Sequence, residues 1–275
     1  EWFFKENNNL NKIYSDDKNH IFVKNKASIL NIISNYITLI YKWENKNINE
    51  TIVMDDFAAH HALKVMRLKN NDQLILFNGD GLDYTGQVIS ISKRQVEVSI
   101  KSKKIIESES NLRVILLQAL TSSEKMDLII QKTTELGISE IQPIICERSI
   151  VKIKNDKIQK KILHWRQVSI AACEQCGRAK IPKIHEPENI IKYLEKITKS
   201  NNETKIILSP DATQSLNKIS PNIEQDIKVL IGPEGDFTKQ ELEFAIKKGF
   251  LSIKIGPRIL RTETAPISIL SILQS

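Results

Sequence analysis

The chain is poor in cysteine and has no long apolar segment. Its 275 residues include three cysteines, too few and odd in number for a disulfide framework, which indicates a reducing compartment. No apolar run approaches the roughly 20 residues that a membrane-spanning helix needs, so no membrane partner is expected. We expect the cytoplasm as the location. An organelle is the alternative, because the chain does not begin with methionine and a targeting peptide would be removed.

Side chains that ligate metals do not form a recognisable set. Cys173 and Cys176 make one CxxC pair, but no second pair is present to complete a zinc site. His60 and His61 are neighbours in a predicted helix, so their side chains do not face each other. We therefore predict no bound metal and interpret the two cysteines as buried helix residues, with zinc or redox chemistry as the alternative.

Positive charge is unevenly spread along the chain. The formal net charge is +7, and the stretch from Val151 to Lys183 holds nine Lys and Arg residues against Asp156 and Glu174. The surplus in this one stretch equals the whole net charge. Such clustering is typical of a nucleic-acid-binding surface, with a solvated helix face as the alternative.

Residues 1–50 have the least regular pattern. Polar, asparagine-rich segments flank one apolar series at helical spacing, which predicts a docked helix. That series is Ile29, Ile32, Ile33, Tyr36 and Ile40. We leave this segment unassigned, as an N-terminal extension or insertion.

Residues 51–105 are predicted to form a small β-rich domain. The predicted elements are a helix over Ala58–Arg67 and strands over Gln73–Asn78, Tyr84–Ser92 and Gln95–Lys101. The sequence Asn-Gly-Asp-Gly at positions 78–81 is a strong turn signal between the first two strands. Several short strands around such turns favour a small barrel.

A polar segment, 106–111, is the predicted linker to a second domain over 112–275. In that domain, strand and helix patterns alternate, which predicts a parallel α/β sheet. The predicted strands are Leu112–Leu120, Ile141–Cys146, Lys205–Ser209, Lys228–Ile231 and Ser252–Ile255. The predicted helices are Lys125–Leu136, Lys157–Cys176 and Gln240–Lys248, each followed by a glycine.

Two glycine-bearing loops in the last fifth of the chain each follow a strand and precede a helix. They are Ile231-Gly232-Pro233-Glu234-Gly235-Asp236-Phe237 and Ile255-Gly256-Pro257-Arg258-Ile259-Leu260-Arg261-Thr262-Glu263-Thr264-Ala265-Pro266. Glycine lets a backbone approach a ligand closely, and proline stiffens the loop. Because the carboxyl ends of parallel strands share one edge of a sheet, the pair predicts two adjacent ligand-facing loops.

These two loops resemble the signature of the SPOUT class of RNA methyltransferases and, within it, the RsmE family, over Thr51 to Ser275. The resemblance implies an α/β SPOUT-type parallel-sheet domain with a trefoil knot, preceded by a PUA-like β-barrel that binds RNA. Pattern alone would predict an unknotted, Rossmann-like domain. The family begins with a strand that carries paired phenylalanines, for which Trp2-Phe3-Phe4 is the candidate. The implied activity is S-adenosylmethionine-dependent methylation of uridine N3 in small-subunit (16S) ribosomal RNA.

The resemblance also implies that three loops hold S-adenosylmethionine. Backbone groups would contact the adenine edge, and apolar side chains would flank the ring. The expected donor-binding residues are Leu208, Ser209, Ile231, Gly232, Pro233, Glu234, Gly235, Ile255, Gly256, Ile259, Leu260, Arg261, Thr264 and Ala265.

Uracil N3 carries a weakly acidic proton, so the reaction needs a general base and a cation near the uracil oxygens. The candidate bases are Glu234 and Glu263, and the candidate cations are Arg261 and Arg178. Glu263 also suits a helix N-terminus, where a carboxylate offsets the dipole. Arg261 and Glu263 would equally form an ion pair with each other.

The expected RNA-binding residues are Arg67, Arg148, Gln175 and Arg178. Arg148 follows a predicted strand, while Gln175 and Arg178 lie at a helix end, which would let them converge on a target base or its phosphates. Structural Arg–Glu pairs are the alternative for Arg148 and Arg178.

One position departs from the family pattern, since Asp236 stands where a second glycine is usual. Aspartate tolerates a positive φ better than most residues, but it brings a carboxylate to the donor site. The alternative functions are a catalytically silent RNA-binding protein and a SPOUT methyltransferase with another RNA target, such as a ribose 2′-hydroxyl. The family implies a homodimer, with the apolar C-terminal helix as a candidate interface.

Overall fold

The chain forms two compact units, Glu1–Ile106 and Glu107–Ser275. The computed structural model describes residues 37–39, 47–54, 56–92, 95–106, 108–151, 153–197, 203–216 and 225–274. No helix within these ranges is long and apolar enough to cross a membrane.

The N-terminal unit is a five-stranded sheet packed on a short helix. Its elements are β1 (Ile37–Leu39), β2 (Thr51–Val53), α1 (Asp56–His60), which continues as one π-helical turn (His61–Val65), β3 (Gln73–Phe77), β4 (Leu82–Ile91) and β5 (Val96–Ile105). The sheet order is β1-β3-β4-β5-β2, antiparallel except for β1 with β3. Leu74, Tyr84 and Val98 of the sheet form one core with Ala58 and Ala62 of the helical segment.

The turn predicted at positions 78–81 is confirmed. Gly79 and Gly81 have φ angles of 95° and 93°, in the region that a β-carbon disfavours. Between them, Asp80 accepts hydrogen bonds from the amide of Leu82 and the hydroxyl of Tyr84. Because Tyr84 is fully buried, this contact ties the turn to the core.

The helix predicted over the series from Ile29 to Ile40 is wrong at its C-terminal end. Ile37–Leu39 form the strand β1, which pairs in parallel with Ile75–Phe77 of β3. The open edge of β3 offers backbone hydrogen bonds to a segment that begins with β-branched Ile37 and Thr38, and this pairing outweighs the helical spacing. The earlier part of the series and the proposed strand at Trp2-Phe3-Phe4 lie outside the described residues.

The C-terminal unit alternates strands and helices. Its elements are β6 (Val114–Ala119), α2 (Ser123–Glu135), β7 (Glu140–Ile145), α3 (Asn155–Cys176), β8 (Lys183–Ile184), β9 (Glu188–Asn189), α4 (Ile190–Lys196), β10 (Glu203–Leu208), β11 (Gln214–Ser215), β12 (Asp226–Ile231), α5 (Lys239–Lys247), β13 (Leu251–Lys254) and α6 (Thr264–Leu273). All the strands and helices predicted for this part of the chain are present. The elements β8, β9, β11 and α4 were missed, because such short segments carry too little periodicity.

One parallel sheet runs through the C-terminal unit, in the order β11-β13-β10-β12-β6-β7-β8, with β9 also paired to β7. Successive residues of β6 face opposite sides of this sheet. Val114 and Leu116 join a core with residues of α2, α3 and α6, while Ile115 and Leu117 join a second core with α4 and α5. The predicted parallel α/β fold is therefore confirmed, with helices covering both faces, and the trefoil knot stays a prediction.

Arg178 lies inside this unit, which corrects its predicted roles as an RNA contact and as a cation of the site. Its side chain is 5% exposed, and its Nε and Nη2 atoms donate to the two carboxylate oxygens of Glu109 at 3.1 and 2.7 Å. Its Nη1 atom donates to the backbone carbonyls of Thr134 and Ile138. The chain reverses at Gly177, whose φ of 76° ends α3, and this reversal turns Arg178 inward to hold the turn between α2 and β7.

We expect Arg178→Met to lower the free energy of unfolding by about 3–5 kcal/mol, because it leaves the Glu109 carboxylate and two carbonyls without their partner. Urea denaturation at neutral pH measures the change. Arg258→Met, at an exposed position, is the matched control and should unfold like the parent protein. Equal stability of the two variants would contradict the structural role of Arg178.

Candidate active site

The candidate active site is a cavity of about 660 Å³ at the carboxyl edge of the parallel sheet. Three loops border it, which follow β10, β12 and β13. Since β10 pairs with β12 on one side and with β13 on the other, all in parallel, the three loops emerge side by side. The strand order alone therefore brings together segments that are far apart in the sequence.

Most residues predicted to bind the donor line this cavity. They are Leu208, Ser209, Ile231, Gly232, Pro233, Glu234, Ile255, Gly256, Ile259, Leu260, Arg261 and Ala265. Gly235 and Thr264 are not among the lining residues. Gly235 instead lies against Arg148, whose Cβ would be 3.3 Å from a β-carbon at that position.

Two glycines shape the loops for stereochemical reasons. A β-carbon at Gly232 would lie 3.0 Å from the ring of Phe237, which packs in the core beneath the loop. Gly256 has a φ of 67°, which side chains rarely adopt. Both loops therefore need glycine in order to fold as they do.

The hydroxyl of Thr262 connects the second loop to the first. It donates a hydrogen bond of 2.7 Å to the carbonyl of Gly232 and accepts one of 3.3 Å from Nε2 of Gln118. Gln118 is fully buried near the end of β6 and also donates to the carbonyl of Ala119. Gln118 was not among the site residues predicted from the sequence. The available signal was a single amide side chain inside an apolar strand, a position where polar groups are rare.

A cluster of charges forms one part of the cavity wall. Glu234 accepts hydrogen bonds from the hydroxyl of Thr121 and from the ammonium of Lys125, the latter at 3.0 Å. Lys125 also lies 3.4 Å from Oε2 of Glu263, which directly precedes α6. Neither Lys125 nor Thr121 was predicted as a site residue, because no local signal marks the residues around the start of α2 as close to the glycine loops.

These contacts fix the charges of Glu234 and Lys125. Burial alone would raise the pKa of Glu234, but the hydrogen bond from Thr121 and the ammonium of Lys125 outweigh it and hold the pKa below its ordinary value. The hydrogen bond to Glu234 raises the pKa of Lys125 above its ordinary value. At neutral pH the wall therefore carries an ionised carboxylate and a protonated amine in contact.

Arg261 and Ile259 stand at the rim of the cavity. The side chain of Arg261 is 84% exposed, and its Nη1 atom is 4.0 Å from Oε1 of Glu263. Ile259 is 81% exposed. The rim thus presents one exposed cationic side chain and one exposed apolar side chain to a molecule that approaches the cavity from solvent.

Arg148 supports the first loop from behind. Its Nη1 atom donates to the carbonyls of Gly235 and Phe237 at 3.1 and 3.4 Å. Gln175 is exposed in the last turn of α3. In the N-terminal unit, Arg67 is exposed and has a φ of 54°. Contacts of these three residues with RNA stay predictions.

Asp236 adopts the backbone conformation that glycine would favour. Its φ is 60°, and its Oδ1 atom accepts a hydrogen bond of 2.8 Å from the amide of Phe237. This local bond is the kind that lets aspartate occupy the left-handed region. Asp236 also lines the cavity, so the departure from glycine preserves the loop and adds a carboxylate to the site.

The cysteines offer no reactive group. All three are free, and burial raises the pKa of Cys173 to about 12 and holds the pKa of Cys146 far above its ordinary value. Buried thiols of this kind stay protonated at neutral pH and are poor nucleophiles. In the described part of the chain, no three His, Cys, Asp or Glu side chains are grouped as metal ligands would be.

The cavity has the size and wall chemistry of a nucleotide-sized ligand site. Ile231, Ile255 and Leu260 supply apolar surface, and Glu234 and Lys125 supply charge. Glu263 is not a lining residue and lies beside the cavity, 3.4 Å from Lys125. Mostly apolar walls with a few placed polar groups are typical of small-molecule sites of several hundred Å³.

Comparison with known proteins identifies relatives of both units. The family described as RNA methyltransferase domain matches residues 108–274, and the family described as RNA methyltransferase PUA domain matches residues 55–101. The ribosomal RNA small subunit methyltransferase E of Buchnera aphidicola subsp. Schizaphis graminum is 39% identical over 227 residues, which cover 82% of this chain and 91% of that protein.

Solved structures show the same similarity. The ribosomal RNA small subunit methyltransferase E of Neisseria gonorrhoeae, bound to S-adenosyl methionine, has a TM-score of 0.79 at 33% identity and covers 87% of this chain and 97% of its own. A Legionella pneumophila protein, in complex with the bound cofactor SAM, has a TM-score of 0.80 at 36% identity, with coverage of 86% and 97%.

We expect Thr262→Val to lower the free energy of unfolding by about 1–3 kcal/mol, because it leaves the Gly232 carbonyl without its donor and removes one of the two acceptors of the Gln118 amide, at nearly constant volume. Thr264→Val, at a neighbouring exposed position, is the matched control. Urea denaturation compares them, and the same loss in both variants would argue against the connecting role of Thr262.

Asp236 gives a second test by paired substitution. Asp236→Gly should keep the stability of the parent protein, whereas Asp236→Ala should be less stable than the glycine variant by roughly 1 kcal/mol, because alanine has neither glycine's freedom at positive φ nor the local hydrogen bond. Thermal unfolding measures the difference. An alanine variant as stable as the glycine variant would contradict the importance of this backbone conformation.

Proposed function

Because the chain belongs to the ribosomal RNA small subunit methyltransferase E family, we propose that it transfers the methyl group of S-adenosylmethionine to N3 of a uridine in small-subunit (16S) ribosomal RNA. The observation that carries this proposal is the three-loop cavity, which collects most of the expected donor contacts in one place. The structures of similar proteins with S-adenosylmethionine support the same choice of donor.

The residues of the cavity suit this donor. When bound, S-adenosylmethionine supplies an electrophilic methyl group on a positively charged sulfur. The apolar side chains of Ile231, Ile255 and Leu260 offer surface for an adenine ring, and Gly232 and Gly256 bring backbone groups to the cavity wall for its edge. The carboxylate of Glu234 on the cavity wall favours a positive charge there. Most of the catalytic benefit would come from holding the reactants in line.

The carboxylates also offer a base for the uridine. The N3–H bond must break, with the proton going to a carboxylate oxygen and the electron pair staying on N3 as the nucleophile. The lowered pKa of Glu234 makes it a weak proton acceptor, which favours Glu263 as the general base. Arg261, exposed at the rim and 4.0 Å from Glu263, is placed to turn toward the uracil oxygens and offset their developing charge.

The same proposal assigns the two domains. Residues 51–105 act as the PUA-like RNA-binding domain with Arg67, and residues 112–275 act as the SPOUT catalytic domain. On the latter, Gln175 and the exposed lysines of α3, Lys157 and Lys160, provide polar and basic surface for the ribosomal RNA backbone. A homodimer and a cytoplasmic location, with an organelle as the alternative, complete the proposal.

The test is methyl transfer from labelled S-adenosylmethionine to small ribosomal subunits that lack the modification, followed by nucleoside mass spectrometry. We expect labelled 3-methyluridine. Arg261→Ala should lower kcat/KM by about 10²-fold or more, because it removes a cation from the developing charge. Lys247→Ala, on the exposed side of α5, is the control and should leave the rate unchanged.

Donor affinity, measured by calorimetry, separates the alternatives. Donor binding without transfer would point to a different RNA target. Absence of donor binding would overturn the proposal in favour of a catalytically silent RNA-binding protein.

A further inference from the structure

Lys125 reaches the cavity from outside the three loops. It lies in the first turn of α2, and its ammonium is 3.0 Å from Oε1 of Glu234 and 3.4 Å from Oε2 of Glu263. Glu234 belongs to the loop after β12, and Glu263 directly precedes α6. The side chain of Lys125 therefore connects α2 with the loop after β12 and with the residue that precedes α6, which are distant from one another in the sequence.

The two carboxylates depend on Lys125 to different degrees. Glu234 has a second donor, because the hydroxyl of Thr121 binds the same Oε1 atom. Glu263 is 13% exposed, and its buried Oε2 atom has no hydrogen-bond partner among the described residues. The ammonium of Lys125, 3.4 Å away, is the cation that faces this oxygen, while Arg261 lies 4.0 Å from the other carboxylate oxygen, Oε1.

We propose that Lys125 is a positioning residue for methyl transfer, which acts through Glu234 on the cavity wall and Glu263 beside it, by pairing its charge with both carboxylates and holding them in place. This inference rests on the proposed function, in which Glu263 accepts the N3 proton. A base can accept that proton only while it is ionised. Two neighbouring carboxylates tend to share a proton at pH values where a single one is ionised. The positive charge of Lys125 between them opposes this sharing.

The pH dependence of the site follows from the groups that surround this cluster. They are Glu234 and Asp236 on the first loop, Lys254, Arg258, Arg261 and Glu263 on or beside the second loop, Glu124 on α2 itself, and Lys161 on α3, which binds the hydroxyl of Ser123. Removal of Lys125 leaves Glu234 and Glu263 as neighbouring negative charges. Like charges disfavour joint ionisation. As the pH is lowered, the variant without Lys125 should therefore lose activity at a higher pH than the parent protein does.

The test compares Lys125→Met, which keeps most of the side-chain volume without the charge, with Lys125→Arg, which keeps the charge. Lys239→Met is the matched control, because Lys239 forms an exposed ion pair with Glu243 on α5. For each variant, kcat is measured against pH on the unmethylated small subunit. In parallel, the side-chain carboxylates of ¹³C-labelled glutamate are titrated by NMR, with Glu234→Gln and Glu263→Gln to assign the signals.

We expect Lys125→Met to lower kcat at neutral pH by about tenfold or more, as misplaced catalytic groups do, and to move the acidic limb of the profile to higher pH. Lys125→Arg should restore much of the rate and the parent profile, and Lys239→Met should match the parent protein throughout. The carboxylate signal of Glu234 should titrate at higher pH in Lys125→Met, because the ammonium that helps to lower its pKa is absent. Circular dichroism confirms that each variant is folded.

Unchanged titration of both carboxylates and an unchanged pH profile in Lys125→Met would overturn the proposal. If the methionine variant does not fold, a full loss of activity in a folded Lys125→Arg variant with parent-like titration would do the same. The titration does not require methyl transfer. A parent protein that binds the donor but methylates no ribosomal RNA would thus refute the proposed function, while the NMR result still decides whether Lys125 governs the two carboxylates.

Discussion

The hydroxyl of Thr262 is the contact on which the geometry of the cavity depends. The parallel sheet brings the three loops to one edge, but strand pairing ends before the glycine loops begin. Beyond that point Thr262 holds the second loop to the carbonyl of Gly232, and Gln118 anchors both to the centre of the sheet. A single side chain of one loop thus sets the distance between the two, and the positions of Glu234 and Glu263 follow from it.

Local signals allowed the sequence to predict much of this site. Each glycine loop follows an apolar strand and carries its own proline, so its place at a strand end was visible without a structure. The family resemblance added the third loop at Leu208. The position of Asp236 was also correctly identified as one where φ matters, because its φ is 60° and a local hydrogen bond supports it.

The remaining features depend on partners that are distant in sequence. Lys125 belongs to the site because Glu234 and Glu263 meet it in space, and the start of α2 looks like any charged helix start. Arg178 was expected to contact RNA because it lies at a helix end near Gln175, with a structural Arg–Glu pair as the alternative. The structure shows that alternative, and the partner is Glu109, 69 positions earlier in the sequence. The strand β1 similarly forms because it pairs with the edge of β3. The spacing of apolar residues within positions 29–40 carries no information about that partner.

The strand order has a consequence for how the protein is made. In the C-terminal sheet, β6 lies between β7 and β12. Val114 of β6 can therefore pair with Ile227 of β12 only after more than 100 further residues have been synthesised. Pairing between segments so far apart closes long loops and is slow compared with the local hairpin of β3 and β4. During synthesis, β3 has already left the ribosome when β4 emerges, so the two strands can pair at once. The cavity is assembled only after the segment through Ala265 has left the ribosome, because its lining residues extend from Lys125 to Ala265.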